Sequence, residues 1–229
     1  MVRFVRLPGL TSYQEAHALQ KTLLEARIVD HIPDVVLLLE HEDVITVARS
    51  RCATANVLAA EDVPVVAVER GGDVTWHGPG QLVAYPIVKL EGRRADLHLY
   101  LRSLEEAVIG LLDGIGLSGA RDERNTGVWL PCGDDRRKVC AIGVASRRWV
   151  TWHGLALNVT SDLTQFQRLN PCGLDAGVMT RLADHLKPCP TVGELVEPLA
   201  HHLAHALALE VEGKILHAGQ AEVLPLLTG

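Results

Sequence analysis

The chain has 229 residues, 48% hydrophobic and 22% charged, with 22 Lys and Arg against 28 Asp and Glu and a formal net charge of −6. That length suits one large domain able to bury its own core, and the negative balance argues against general nucleic-acid affinity. No run of eighteen apolar residues predicts a membrane span, the first eight residues lack a signal peptide's apolar stretch, and five cysteines with no C-x-x-C pair read as reduced thiols of a cytoplasmic protein.

Ser12-Tyr13-Gln14-Glu15 reads as a capping box opening a helix to about Arg27, with Ala16, Leu19, Leu23 and Ala26 as its apolar stripe. Val35 to Glu40 is a continuous apolar run, expected to be a strand buried on both faces. Further strands are expected at 44–47, 65–68 and 82–88, where Tyr85-Pro86 suits an edge or a bulge. Asp96 is placed to cap a long helix ending near Gly114 or Gly116. Strands follow at 127–130, 138–145, 148–152 and 155–159, with a hairpin turn at Ser146-Arg147. Ser161-Asp162-Leu163 can start a short helix. Thr191-Val192-Gly193-Glu194 is a second capping box, whose helix should kink or restart at Pro198. The tail from Val211 reads as short strand or coil. Strands outnumber helices without regular alternation, so the fold class is α+β around a mixed sheet.

Three segments carry candidate chemistry. Asn170-Pro171-Cys172-Gly173 sets a thiol on a tight turn, and Lys138 lies 34 positions upstream (172 − 138). A free thiol titrates near about 8.5, and a neighbouring ammonium favours the thiolate. Arg70-Gly71-Gly72-Asp73-Val74-Thr75-Trp76-His77-Gly78-Pro79-Gly80-Gln81 has glycines that let backbone approach a ligand. Trp76 can offer it an apolar wall and His77 a neutral donor or acceptor. It is neither a P-loop nor a dinucleotide fingerprint. His201-His202-Leu203-Ala204-His205 has zinc-motif spacing without the water-activating glutamate, and reads as a polar helix face, so no metal or cofactor is expected. Cys140, two positions from Lys138, should share its strand face. A papain-like hydrolase lacks its Cys signature here.

Taken in order, the Arg70–Gln81 segment, Arg137-Lys138-Val139-Cys140-Ala141-Ile142-Gly143, His153-Gly154-Leu155-Ala156-Leu157-Asn158 and Asn170–Gly173 resemble the motifs of the lipoyl(octanoyl) transferases. Two positions depart from that pattern: Glu42 stands where proline is common, and Ala48 where glycine is usual. The resemblance implies a single catalytic domain over 1–229, with a core at about 29–213 similar to the biotin and lipoate protein ligases and a mixed sheet flanked by helices. It implies an acyl-thioester on Cys172, with Lys138 lowering its pKa. Arg70, Gly71, Gly72, Asp73, Val74, Thr75, Trp76 and His77, with Ala141, Ile142, Gly143, Gly154, Leu155 and Ala156, would line the acyl site. The implied donor is octanoyl-acyl-carrier protein. The implied acceptors are lipoyl domains of 2-oxoacid dehydrogenase and glycine cleavage proteins. Arg49-Ser50-Arg51, Arg136-Arg137 and Arg147-Arg148 are candidate docking patches for such acidic partners. An ATP-dependent lipoate or biotin ligase, and a non-catalytic binding module, are the competing expectations.

Overall fold

A strand buried on both faces must be covered on both, and the apolar run at 35–40 sets this architecture. The structure, a computed structural model, describes residues 1–48, 56–60, 62–123, 125–170 and 176–228. In chain order the elements are β1 (Val2–Thr11), α1 (Tyr13–Ile28), β2 (Asp34–His41), β3 (Val44–Ala48), β4 (Val65–Val68), β5 (Val74–His77) and β6 (Gln81–Ile87). There follow α2 (Leu97–Gly114), β7 (Gly127–Cys132), β8 (Asp135–Arg147), β9 (Val150–Asn158), α3 (Val192–Ala206), β10 (Leu216–His217) and α4 (Gln220–Thr228).

Seven strands form one sheet in the order β10-β1-β2-β6-β9-β8-β7, parallel from β10 through β2 and antiparallel beyond. Alternation splits β2 between two cores. Val36 and Leu38 pack with Leu104 and Leu111 of α2 and Leu199 and Leu203 of α3. Val35, Leu37 and Leu39 pack with Leu23 of α1 and Val223 and Leu227 of α4. A second, three-stranded sheet, β4-β3-β5, has its own core around Ile45, Val74, Trp76 and Phe166.

Local chemistry explains the helix starts. The Asp96 carboxylate accepts from the N–H groups of His98 and Leu99, and the Thr191–Glu194 box closes in both directions. The Ser12 box does not close: Ser12 Oγ turns to Gln14 instead, and α1 is held by its buried face.

Several expectations are corrected. The strands expected at 148–152 and 155–159 are one strand, β9, and the hairpin turn falls at Arg148-Trp149, both with positive φ (51° and 63°), joining the pair Arg147↔Val150. Two consecutive left-handed residues match the twist of a two-residue hairpin. Strand β6 is interior, not an edge. It tolerates Pro86 because β6–β9 pairing stops at Ala84↔Leu155, where β9 is distorted at His153 (φ 56°) and the His153 N–H turns away to Gln20 Oε1. Helix α3 runs through Pro198 as one element, and the tail holds the expected short strand, β10, but ends in a helix, α4, whose Val223 and Leu227 complete the second core.

Candidate active site

Small residues make the floor. On the sheet face covered by α1, β8 and β9 place Ala141 opposite Ala156 and Gly143 opposite Gly154. These side chains are too short to fill the space, so a trough remains. It is a cavity of about 180 Å³, below the roughly 300–1,000 Å³ of drug-sized pockets and suited to a slender ligand. Gly154 is obligatory: a Cβ there would lie 2.1 Å from the Ala84 carbonyl oxygen.

The glycine-rich segment roofs the trough. Gly71 N–H donates to Val144 O at 2.8 Å, docking the loop on β8, and a Cβ on Gly143 would fall 2.9 Å from Gly71 O. The Arg70 guanidinium donates to Thr46 O and Oγ1, which ties the roof to the small sheet. Arg70, Gly71, Gly72, Asp73, Val74, Thr75, His77, Ala141, Ile142, Gly143, Gly154, Leu155 and Ala156 all line the cavity. Trp76 does not. It points into the small sheet's core, edge-on to Phe166, with its indole N–H on Asp43 at 3.0 Å. Alternation along β5 separates it from Thr75 and His77.

Lys138 lies at one end of the trough, buried. Its ammonium donates to Asn125 Oδ1 at 3.1 Å and Thr126 O at 3.0 Å and sits 5.0 Å over the Trp129 ring. The 125–127 loop is itself anchored by Glu105, a buried carboxylate that accepts from Gly127 N–H, Arg102 and Arg121. Cys140 is not beside Lys138. The β7–β8 register shifts between Val128↔Cys140 and Trp129↔Lys138, leaving Val139 as an extra residue. The bulge sends Cys140 into the α2–α3 core, where burial pushes its thiol up to about 12. Cys172, with Pro171 and Gly173, and the Arg49-Ser50-Arg51 patch lie outside the described residues.

The described residues on either side of the segment holding Cys172 are tied to this site. Before it, Asn170 N–H donates to Asn56 O. After it, Met179 bridges to Lys138 and Thr180 N–H donates to Lys138 O at 2.9 Å. A polar chain runs on from Thr180. Its carbonyl accepts from Asn158 Nδ2 (3.0 Å), Asn158 Oδ1 accepts from Gln81 Nε2 (2.9 Å), and Gln81 Oε1 contacts His77 Nδ1 (2.7 Å). That polarity makes His77 Nδ1 the donor. The motifs assign Gln81 and Asn158 no role; the sequence signal for them is a polar residue on an otherwise apolar strand.

Two neutral histidines, His77 and His153, line the trough, and a third, His41, packs against His77 and Tyr85 without lining it. Burial, first, and neighbouring charges hold His77 and His153 down to about 3, and burial holds His41 down to about 4. His41 Nδ1 faces Thr11 O, so Nδ1 donates and Nε2 accepts from the Tyr85 hydroxyl. His17, Glu69 and His153 bring one ligand atom each within 4.8 Å. Lys21 Nζ, 3.2 Å from Glu69, brings positive charge to that carboxylate, which stays below its usual range against the opposing effect of burial. His201 and His205 lie exposed on α3.

Residues 12–204 match the family described as "Lipoyl protein ligase A/B catalytic domain". The chain belongs to that family. Curated relatives called octanoyltransferase include one from Thermobifida fusca, 47% identical over 85% of this chain and 84% of the relative. Another, from Rubrobacter xylanophilus, is 48% identical over 79% of this chain and 82% of the relative. Among solved structures, a bi-partite lipoate protein ligase from Thermoplasma acidophilum superposes with a TM-score of 0.73 at 15% identity, covering 100% of this chain and 92% of that one. A lipoate-protein ligase A bound with ATP gives 0.70 at 14%, covering 99% and 94%. These two likenesses establish the lipoyl protein ligase fold: a mixed sheet with flanking helices. No described helix is long and apolar enough to cross a membrane.

Proposed function

We propose that the chain transfers an octanoyl group from octanoyl-acyl-carrier protein to a lysine of a lipoyl domain, through an acyl-thioester on Cys172. The observation that carries the reading is Lys138: a buried lysine ends a trough floored by Ala141, Gly143, Gly154 and Ala156, and the backbone N–H of Thr180, eight residues after Cys172 (180 − 172), donates to its carbonyl. The octanoyltransferase relatives support the same reaction.

In the first half-reaction the Cys172 thiolate attacks the donor's thioester carbonyl. A carbon–sulfur bond forms, the bond to the donor's sulfur breaks, and Lys138 protonates the leaving thiolate. Lys138 is then neutral. In the second half, the acceptor lysine's amine attacks the acyl-enzyme and passes its proton to Lys138, and Cys172 leaves as thiolate. The products are an amide and the starting form of the enzyme. Asn125 and Thr126 supply two carbonyl acceptors that aim the ammonium. Replacing a thioester by an amide drives the cycle forward.

Of the basic patches, Arg136-Arg137 adjoins Lys138. Arg147-Arg148 stands at the opposite end of β8, nine residues away (147 − 138), or about 30 Å at strand rise. Arg147 also pairs with Glu25. We therefore assign partner docking to Arg136-Arg137.

Intact mass spectrometry after mixing with octanoyl-acyl-carrier protein tests the reading. One added octanoyl group, absent in Cys172→Ala, is expected. Product formed from free octanoate and ATP with Cys172→Ala still active would point to the ligase reaction instead.

A further inference from the structure

The trough that begins at Lys138 has a built end. Val144, six residues along β8 (144 − 138), pairs with His153 of β9, and His153 lines the cavity there. The His153 backbone is left-handed (φ 56°), a conformation that non-glycine residues adopt at a cost and that marks functional positions. Its N–H is held by Gln20 of α1 at 2.9 Å. Its ring stacks on Trp152 at 4.3 Å and on His17 at 5.7 Å, and those two rings stack on each other at 5.5 Å, so the three form one packed cluster. The imidazole is 1% exposed, and its Nε2 has no hydrogen-bond partner among the described residues. The floor before it is alanine and glycine; at His153 the space closes against a rigid polar ring.

We propose that His153 is the specificity-determining residue that ends the acyl channel and limits the chain to about eight carbons. This rests on the transfer reading, which places the thioester at Lys138 and sends the tail toward Val144. The lengths agree. Six residues of strand span a little under about 20 Å once the bulge is allowed for. An extended octanoyl chain takes about 9 Å at roughly 1.3 Å advance per carbon–carbon bond. The remainder is filled by the Lys138 side chain and the thioester linkage. A longer tail would have to press its added methylenes into the close-packed rings around His153, and overpacking is unfavourable.

The test is competitive loading. Protein is offered hexanoyl-, octanoyl-, decanoyl- and dodecanoyl-acyl-carrier protein together, and the acyl groups it acquires are weighed by intact mass spectrometry. The wild-type chain should carry octanoyl. His153→Gly, which suits the positive φ, should raise the decanoyl-to-octanoyl ratio about fifteenfold, since each methylene admitted is worth a factor of about four. His153→Asn, which also tolerates that backbone, should move the ratio the same way by less. The ratio is read within one sample, so a general loss of stability does not mimic it. An unchanged ratio in both variants while octanoyl still loads would overturn the assignment, as would a folded variant that loads no chain. Absence of any acyl group on the wild-type chain would overturn the transfer reading, and this inference with it.

Discussion

Three buried neutral histidines make the protein's stability steeply dependent on acid. His41, His77 and His153 are held down to about 4, 3 and 3, mainly by burial. In the unfolded chain each titrates near about 6.5. The sign follows from linkage. Above that value both states are neutral and the three contribute no slope. As pH falls below it, the unfolded chain binds protons that the folded chain refuses, so stability drops until the folded values are reached. At pH 5 each histidine contributes a loss of about 2 kcal/mol, or about 6 kcal/mol for three, against a typical total of about 5–15 kcal/mol. Between pH 6 and 5 the slope approaches about 4 kcal/mol per pH unit. Carboxylates held below their usual range, such as Glu69, oppose unfolding until more acid conditions. Urea unfolding at pH 7.5, 6.5, 5.5 and 5.0 measures the slope directly, and His41→Gln should remove about one third of it. Stability that stays level from pH 7.5 to 5 would refute the buried-neutral assignment.

Glu105→Ala leaves the buried Gly127 N–H without its acceptor while Arg121 keeps Glu106, so it should lower unfolding free energy by about 1–3 kcal/mol in urea titrations. It should also slow acyl loading, because the loop that aims Lys138 loses its anchor. Gly154→Ala drives a Cβ into the Ala84 backbone between two interior strands; a loss of about 3 kcal/mol is expected, seen as a lower thermal midpoint. Arg136→Glu with Arg137→Glu should raise KM for carrier-protein substrate and spare a small octanoyl thioester, whereas Arg147→Glu with Arg148→Glu should change neither. Cys140 should resist alkylation in the folded protein at pH 8 and react once urea is added, as peptide mapping would record.

Residues acting through local rules were legible from the chain alone. Asp96 and the Thr191–Glu194 pair cap helices because the capped groups are two or three residues away. The continuous apolar run in β2 pointed to burial on two faces because successive side chains of a strand point to opposite sides. Thirteen of the fourteen positions named from the ordered motifs line one cavity, since a glycine or alanine at a close approach leaves a trace in sequence. What escaped depended on partners remote in the chain. Gln81 and Asn158 are 77 positions apart and Gln20 and His153 are 133 apart, and no local pattern announces such a bond. The Val139 bulge was invisible as well, and it reversed the placement of Cys140; one added residue inverts every later side chain of a strand. Motif order thus pointed to the family and to residues that the fold gathers around one trough. Only the folded sheet decided which way Trp76 and Cys140 point, what holds Lys138, and where the trough ends, because register and bulges arise from pairing between strands.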